Sequence, residues 1–456
     1  MTASRDSAAI ERLRASHRGP VLAPAEPGYE EARKVWNGMI DRRPGIIAQA
    51  TGVADVVAAV NFAREQGLNV AVRGGGHSAA GNGVCDDNLV VDLRHMKGIH
   101  VDPATRRARV QGGVTLGEMD RETQVHGLAV PAGTNSTTGV AGLTLGGGLG
   151  WLMGSYGLTI DNLLSCEVVT ADGRVLTASH AENPDLFWAL RGGGGNFGVV
   201  TSFEFQAHRV GPMLVGGIIV HPVSEARQVF SFWNDFRATC PDELTLFAVI
   251  AGAPDGSGNI ISALAGAYSG SIEEGEKAVR PLKEFGQPLM DAMGPLPFVA
   301  LQSMLDEGFQ PGMLVYWKAE FLRELTPAAI DAIVEIGEKM PSPLSAVVLE
   351  DMHGAVRRVA PDATAYGQRD ATTNMAVISA WTDPAESDKN IAWAREVMKV
   401  AEPYKTGGTY MNYFGVDDQG EERVRQALGA NYDRLREVKR RYDPTNMFRF
   451  NQNIAP

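Results

Sequence analysis

The chain has 456 residues, enough for one large domain or for two to three ordinary ones. Hydrophobic residues make up 44% and charged residues 21%, which is typical of a soluble globular protein. The formal net charge of −12 argues against a nucleic-acid-binding protein, because such proteins present a basic face.

The spacing of the cysteines and the shortness of the apolar runs favour a cytoplasmic location. Cys85, Cys166 and Cys240 have no paired spacing and cannot make a disulfide framework. The first residues are charged and contain no apolar segment of a secretory signal. No apolar run approaches the roughly 18–20 residues that span a bilayer. We therefore expect a cytoplasmic protein that binds neither nucleic acid nor membrane.

The first half of the chain alternates between strand and helix patterns. Strands predicted over 45–49 and 68–72 flank a helix over 54–65, whose apolar residues recur at helical spacing. Further elements are predicted as strands over 89–93, 106–111, 164–170, 174–177 and 198–206, and as helices over 115–127 and 184–190.

The second half has a different composition, because glycine clusters become sparse after about residue 208. Strands are predicted over 214–220, 244–251, 260–268, 313–321, 345–350 and 375–381, and helices over 224–237, 272–285 and 327–340. This α+β pattern predicts a large sheet backed by helices. A last helix with basic residues is predicted after Asn431, ending at Tyr442-Asp443-Pro444.

A glycine-rich turn, Arg73-Gly74-Gly75-Gly76-His77-Ser78, follows the predicted strand over 68–72. Consecutive glycines let the backbone approach a ligand closely, and bare N–H groups in such a turn form an anion-binding concavity. The imidazole of His77 beside that concavity predicts a cofactor site, with covalent attachment as an option. A tight turn with a capping histidine is the alternative interpretation.

A second glycine-rich stretch runs from Ala132 to Gly150 and consists mainly of small and hydroxyl residues. Such a stretch buries little apolar surface, so we expect its backbone and hydroxyls to wrap a polar ligand. A glycine-rich turn packed under a helix is the alternative. The candidate binding residues are Gly133, Thr137, Thr138, Gly139, Gly142, Gly146, Gly147, Gly148 and Gly150.

A third glycine run, Arg191 to Gly198, satisfies the dinucleotide-binding pattern in its spacing alone. A helix precedes it and a strand follows, which is the reverse of the order that a nicotinamide site requires. The chain also lacks a P-loop. Its histidines are scattered, without a paired HExxH motif or a Cys/His cluster, so no metal site is predicted.

The segment Tyr410-Met411-Asn412-Tyr413-Phe414 is predicted to be extended. Tyr410 and Asn412 would then face one side, and Met411 and Tyr413 the other. Two phenols and an amide could face a ligand, although a half-buried aromatic strand is the alternative.

Together these motifs resemble the FAD-linked oxidoreductases of the berberine bridge enzyme family, within the vanillyl-alcohol oxidase superfamily, over nearly the whole chain. The turn at Arg73 matches the segment whose histidine carries FAD through its 8α-methyl group. The stretch up to Gly150 matches the second FAD segment, and Asn431 to Ile454 match the C-terminal signature. The resemblance also implies that Gly198, Val199, Val200 and Asn451 contact the cofactor.

This resemblance implies an α+β fold with a PCMH-type FAD-binding domain of two α/β subdomains over 1–207 (core about 42–211). A substrate domain with a large antiparallel sheet backed by helices would span 208–414. The segment over 415–456 would return to the FAD domain.

Two positions depart from the family pattern. Many members make a second flavin link through a cysteine, but Asn135 aligns there, so a single covalent bond through His77 is expected. A valine beside the flavin admits oxygen in family members and a leucine hinders it. Thr138 aligns at that position, and its valine-like shape favours an oxidase.

The implied reaction moves a hydride from a substrate carbon to the flavin while a base takes an O–H or N–H proton, and O₂ then becomes H₂O₂. Tyr413 or Tyr410 resembles the family's base, and Arg369 or Lys318 could lower the pKa of the phenol. The implied substrate pocket includes Gln368, Arg369 and Asn412. An amine of the hydroxynicotine type, a sugar and a secondary alcohol remain open as substrates. A dehydrogenase with another electron acceptor and a non-enzymatic FAD-binding protein are the alternative functions.

Overall fold

A computed structural model describes residues 7–253, 255–418 and 420–456. Its first sheet carries the predicted histidine turn. Strands Ile46–Gln49, Leu89–Asp92 and Val70–Arg73 pair in parallel, and Val21–Leu22 adds an antiparallel edge. Helix Val53–Gln66 connects two of these strands and packs its apolar face on the sheet. Since Val70–Arg73 ends at Gly74, the turn lies at the carboxyl end of a parallel strand, where α/β sheets usually bind ligands.

A second, antiparallel sheet completes the first half of the chain. Its strands follow the order Ile99–Asp102, Arg107–Gln111, Val199–Gln206, Leu163–Val169 and Val175–Ser179. Helices Leu116–Gln124, Val140–Leu145, Met153–Tyr156 and Pro184–Leu190 belong to this part of the chain. Thr115 and Glu118 form a capping box at the start of the first of these helices, which accounts for its sharp beginning.

The large sheet of the second half is antiparallel throughout. Its path runs through Met290–Asp291, Met213–Pro222, Ile260–Tyr268, Leu244–Gly252, Ala346–Asp351, Thr373–Trp381 and Leu314–Leu322, and Gly294–Pro297 pairs with the second of these strands. Helices Ala226–Arg237, Ile272–Glu284, Pro327–Gly337 and Ser387–Ala401 cover one face. The predicted sheet backed by helices, and with it the α+β class, is confirmed.

The two faces of this sheet differ because side chains alternate along each strand. Leu246 and Ala248 point into the core beneath the helices. Phe247 and Val249 point to the opposite face, toward the glycine-rich segments of the first half. The uncovered face is therefore available as one wall of a site.

The C-terminal segment returns to the first half of the chain. Helix Glu421–Leu428 is followed by helix Tyr432–Tyr442, which packs against Pro184–Leu190. Beyond it, Met447 and Phe448 enter the core of the parallel sheet. The remaining elements are helices Ser7–Ser16, Tyr29–Ala32, Phe298–Ser303 and Ala355–Arg358, strands Leu128–Ala129 and His208–Arg209, and short 3₁₀ turns. Within the described residues, no helix combines the length and apolar character needed to cross a membrane.

Candidate active site

A cavity of about 710 Å³ lies between the glycine-rich segments and the uncovered face of the large sheet. Its volume falls within the range of about 300–1,000 Å³ that small-molecule and cofactor sites occupy. The wall contributed by the sheet and its neighbours is mainly apolar and aromatic, and includes Ile218, Phe247, Val249, Ala265, Trp317, Val348 and Ile378.

The two predicted glycine segments contact each other directly at the cavity. A Cβ atom on Gly75 would lie 2.5 Å from the backbone nitrogen and Cα of Gly139. A Cβ on Gly139 would meet Gly75 equally closely, at 2.4 Å from its nitrogen. Backbone packing at this distance leaves no room for a side chain. The glycines are therefore needed for the two segments to pack together, as well as for a ligand to approach the backbone.

His77 projects from this contact into the cavity. Its ring stacks on Trp36 with centroids 5.0 Å apart and 17° between the planes. Burial lowers the pKa of His77 to about 4, so the imidazole is neutral and carries a free lone pair at neutral pH. A neutral imidazole is the form that can attack an electrophile.

A short hydrogen-bond chain selects the tautomer of His77. The Thr137 hydroxyl donates to Oδ1 of Asn135 at 2.6 Å and lies 2.9 Å from Nε2 of His77. Since the hydroxyl proton is already used, Thr137 accepts from Nε2–H. The lone pair then resides on Nδ1, which becomes the reactive nitrogen.

The cavity has room and unpaired polar groups for a large cofactor. No described atom lies within 4 Å of a Cβ built on Gly142 or Gly195, so side chains there would occupy space that a flat ligand can use. Nδ2 of Asn135 and Oδ1 of Asn451 are buried in the cavity wall without a hydrogen-bond partner among the described residues. A ligand with donors and acceptors would satisfy them, as FAD does.

Most of the predicted cofactor residues line the cavity. They are Gly74, Gly75, Gly76, His77, Ser78, Gly133, Thr138, Gly139, Gly142, Gly146, Gly198, Val200 and Asn451. Arg73, Thr137, Gly147, Gly148, Gly150 and Val199 are not among the residues that line the cavity. Arg73 donates to the carbonyl of Ala32 at 2.6 Å, and Gly148 donates to the Tyr410 hydroxyl at 2.9 Å.

The segment around Asn412 is a 3₁₀ turn over Met411–Tyr413, so the prediction of an extended strand is wrong. A 3₁₀ helix has three residues per turn, so the side chains at positions 410 and 413 lie on the same side. Tyr410 and Tyr413 accordingly meet edge to face, with centroids 4.9 Å apart, and both line the cavity with Asn412.

The two phenols have different hydrogen-bonding environments. The Tyr410 oxygen accepts from the backbone amides of Gly148 and Leu149, and also from Nδ2 of Asn412 at 2.8 Å. Its lone pairs are therefore occupied, and burial raises its pKa to about 12. Tyr413 instead donates to Oε1 of Glu350 at 2.9 Å.

Glu350 is a site residue that the sequence analysis missed. It lies in strand Ala346–Asp351, lines the cavity and is 5% exposed. Burial raises its pKa to about 7, opposed by hydrogen bonds from Asn374 and Tyr413. A carboxyl group with this pKa can accept or release a proton at neutral pH. The only sequence indication was a glutamate at the end of an apolar strand pattern.

The structure corrects the prediction of Gln368 and Arg369 as pocket residues, and of Arg369 or Lys318 as the cation beside the phenol. Gln368 donates to the carbonyl of Ala427 at 3.0 Å and does not line the cavity. Arg369 is buried outside the cavity in a bidentate pair with Asp161. Lys318 pairs with Asp417 and Asp418. Neither cation faces the phenols, because each is bound to an acidic partner elsewhere.

Comparison with known proteins agrees with this site. The sequence matches the "FAD binding domain" family over residues 44–179 and the "Berberine and berberine like" family over 409–455. It is 34% identical to the FAD-linked oxidoreductase YgaK of Bacillus subtilis, covering 96% of this chain and 97% of that protein.

A relative of known activity is similar along its whole length. (R)-6-hydroxynicotine oxidase of Paenarthrobacter nicotinovorans is 32% identical, with 97% of each chain covered. The crystal structure of 6-hydroxy-D-nicotine oxidase from Arthrobacter nicotinovorans aligns with a TM-score of 0.89 at 29% identity, over 97% of this chain and 98% of that one. The protein therefore belongs to the berberine bridge enzyme-like family of FAD-linked oxidoreductases.

Proposed function

We propose that the protein is an oxidase of small, largely apolar alcohols or amines, with FAD attached through a single bond to His77 and O₂ as electron acceptor. The observation that carries this proposal is the hydrogen-bonded pair of Tyr413 and Glu350 in the wall of the cavity that the FAD segments form. When bound, FAD supplies the chemistry that takes a hydride from the substrate carbon and passes two electrons to O₂, giving H₂O₂.

His77 holds the cofactor in this proposal. Its neutral ring and its lone pair on Nδ1 favour bond formation at that nitrogen. The resemblance places Asn135 where other family members have the cysteine of a second flavin link, which supports a single bond. Asn135 instead orients Thr137, which orients His77.

The proton that leaves the substrate O–H or N–H passes to the Tyr413 oxygen, and the phenol proton moves to Glu350. This relay avoids a free phenolate, which would be costly because burial and the neighbouring carboxyl raise the pKa of Tyr413 well above its usual value. Glu350 can take the proton because its pKa is close to neutral. The Tyr410 oxygen already accepts several hydrogen bonds. Tyr410 therefore positions Asn412 and the backbone at Gly148 and is not the proton acceptor in this proposal.

The apolar wall favours a particular substrate class. Ile218, Val249 and Val348 offer no hydrogen-bonding side chains to the cavity. A sugar would bury several hydroxyls there, and each unpaired hydroxyl costs roughly 1–3 kcal/mol. A ring or alkyl group with one amine or hydroxyl fits better, and the similarity to (R)-6-hydroxynicotine oxidase supports the amine class.

The proposal is tested by mixing purified holoenzyme anaerobically with an aryl-substituted cyclic amine, a secondary alcohol and an oligosaccharide. Flavin bleaching by the amine or the alcohol, but not by the oligosaccharide, is expected. The reduced enzyme is then mixed with oxygenated buffer in a stopped-flow instrument. Rapid reoxidation with stoichiometric H₂O₂ is expected, whereas slow reoxidation would indicate a dehydrogenase. Bleaching by none of a broad panel would favour a non-enzymatic flavoprotein.

A further inference from the structure

We propose that Cys240, Asp351 and His353 form a binding site for a divalent transition-metal ion, with zinc as the best fit. The three side chains lie outside the cavity described above and offer ligand atoms that are all within 4.8 Å of one another. The proposal revises the sequence-based expectation that the chain has no metal site. That expectation considered only short spacings, whereas Cys240 is more than 100 positions from the other two residues in the sequence.

Three segments of the fold meet at this cluster. Cys240 follows helix Ala226–Arg237, and Asp351 is the last residue of strand Ala346–Asp351. His353 lies just before helix Ala355–Arg358. Its ring packs on Gly154 of the first half of the chain, where an added Cβ would lie 2.8 Å from Nε2. Nε2 is therefore shielded, and Nδ1 is the nitrogen that faces Asp351.

The contact between His353 and Asp351 is slightly shorter than the spacing of two ligands of one ion. Nδ1 and Oδ2 lie 3.0 Å apart. Two ligands held about 2.0–2.1 Å from a tetrahedral zinc ion would be separated by about 3.3 Å. A shift of a few tenths of an ångström would therefore complete this edge of a tetrahedron.

The same atoms lack aligned hydrogen-bond partners. Asp351 is only 3% exposed, and its Oδ2 has no hydrogen bond to any described residue. Both ring nitrogens of His353 are also buried without such a bond. A simple Asp–His pair would align an N–H with the carboxylate, because buried polar atoms are normally satisfied. An ion held between Nδ1 and Oδ2, which lie 3.0 Å apart, would satisfy both atoms at once.

The neighbouring groups fit a metal centre. Nη1 of Arg237 donates to Oδ1 of Asp351 at 3.1 Å, which fixes the carboxylate and leaves Oδ2 for the ion. The Cys240 thiol hydrogen-bonds with the backbone carbonyls of Arg237 and Leu244, at 3.4 Å and 3.8 Å. Thiolate, imidazole and carboxylate together are a donor set that suits zinc better than calcium or magnesium. Among the described residues, no fourth histidine, cysteine, aspartate or glutamate places a ligand atom within 4.8 Å of all three, so water or an exogenous ligand would complete the coordination.

The test measures metal content and thermal stability in the untagged, flavin-loaded protein, expressed with zinc in the medium and purified without chelator. We expect inductively coupled plasma mass spectrometry to show about one zinc ion per chain. Cys240→Ser and His353→Asn should each lower that content by about tenfold or more. The matched control is His126→Asn, which removes an exposed histidine elsewhere and should leave the content unchanged.

A second measurement uses the wild-type chain alone and does not depend on the folding of a variant. Zinc added to chelator-treated protein at about one hundred times its Kd should raise the melting temperature by about 3 °C. The proposal is overturned if the wild-type protein carries no zinc and shows no such rise. It is equally overturned if Cys240→Ser and His353→Asn fold, as judged by their flavin spectrum, and retain the wild-type zinc content.

Discussion

The hydroxyl of Tyr413 donates a 2.9 Å hydrogen bond to Oε1 of Glu350, whose Oε2 accepts from Nδ2 of Asn374 at 2.6 Å. Both oxygens of a buried carboxyl are thus engaged, and its orientation is fixed. Because burial raises the pKa of Glu350 to about 7, the carboxyl exchanges protons near neutral pH. The phenol relays a proton to it without ionising alone.

The first prediction concerns the pH dependence of flavin reduction. Only ionised Glu350 can accept a proton, and its pKa is about 7. The rate constant for reduction by substrate should therefore rise with pH, about tenfold per unit below that pKa, and level off above it. Anaerobic stopped-flow measurements across the neutral range would show this. In Glu350→Gln the rate should fall by about 10²–10⁴-fold and lose the rise; an unchanged profile would exclude Glu350 as the acceptor.

A second prediction distinguishes the two phenols. Tyr413→Phe removes the relay oxygen and should slow flavin reduction by about 10²-fold or more, with little change in the bound flavin. Tyr410→Phe removes an acceptor for the amides of Gly148 and Leu149, and should mainly lower stability, by about 1–3 kcal/mol. Reduction rates and urea unfolding of both variants check this. A larger kinetic loss in Tyr410→Phe would reverse the assignment.

Much of the fold was predictable because its determinants are local. Helix Pro184–Leu190 and strand Ile260–Tyr268 have the predicted bounds, since turn residues and apolar periodicity mark them in the sequence. Helix Pro327–Gly337 stops three residues before its predicted end at position 340. Periodicity continues into the following turn there, which is why sequence alone extends the helix.

The site could be predicted only where its functional residues are adjacent in the sequence. The turn at His77 could be read directly, because its glycines and imidazole are adjacent in sequence. Glu350 could not, because its partner Tyr413 lies 63 positions away and a glutamate that ends a strand is usually exposed. The 3₁₀ turn at Met411–Tyr413 was also hidden, since an aromatic-rich segment has strand propensity and tertiary contacts override it.

A third prediction addresses the flavin bond. Wild-type protein should remain heavier by one FAD after acid precipitation, and His77→Ala should lose that mass. Thr137→Val removes the acceptor that holds the proton on Nε2, so it should slow covalent incorporation while leaving cofactor binding intact. The denatured mass and the visible spectrum report the bond. Retention of the mass in His77→Ala, or full and rapid incorporation in Thr137→Val, would contradict the proposed geometry.

The last prediction concerns Lys439, which is fully buried and donates to Asp443 at 2.6 Å and to the carbonyls of Asn196 and Phe448. Lys439→Met would leave the Asp443 carboxylate buried without its cation, at a cost of about 3–5 kcal/mol of unfolding free energy. Because Asn451 and its neighbours line the cavity just beyond this pair, the variant should also bind FAD more weakly when the His77 bond is absent. Urea unfolding and flavin release in a His77→Ala background measure both effects. Arg440→Met, at an exposed neighbouring position, should change neither, and a similar loss there would show that the pair is not responsible.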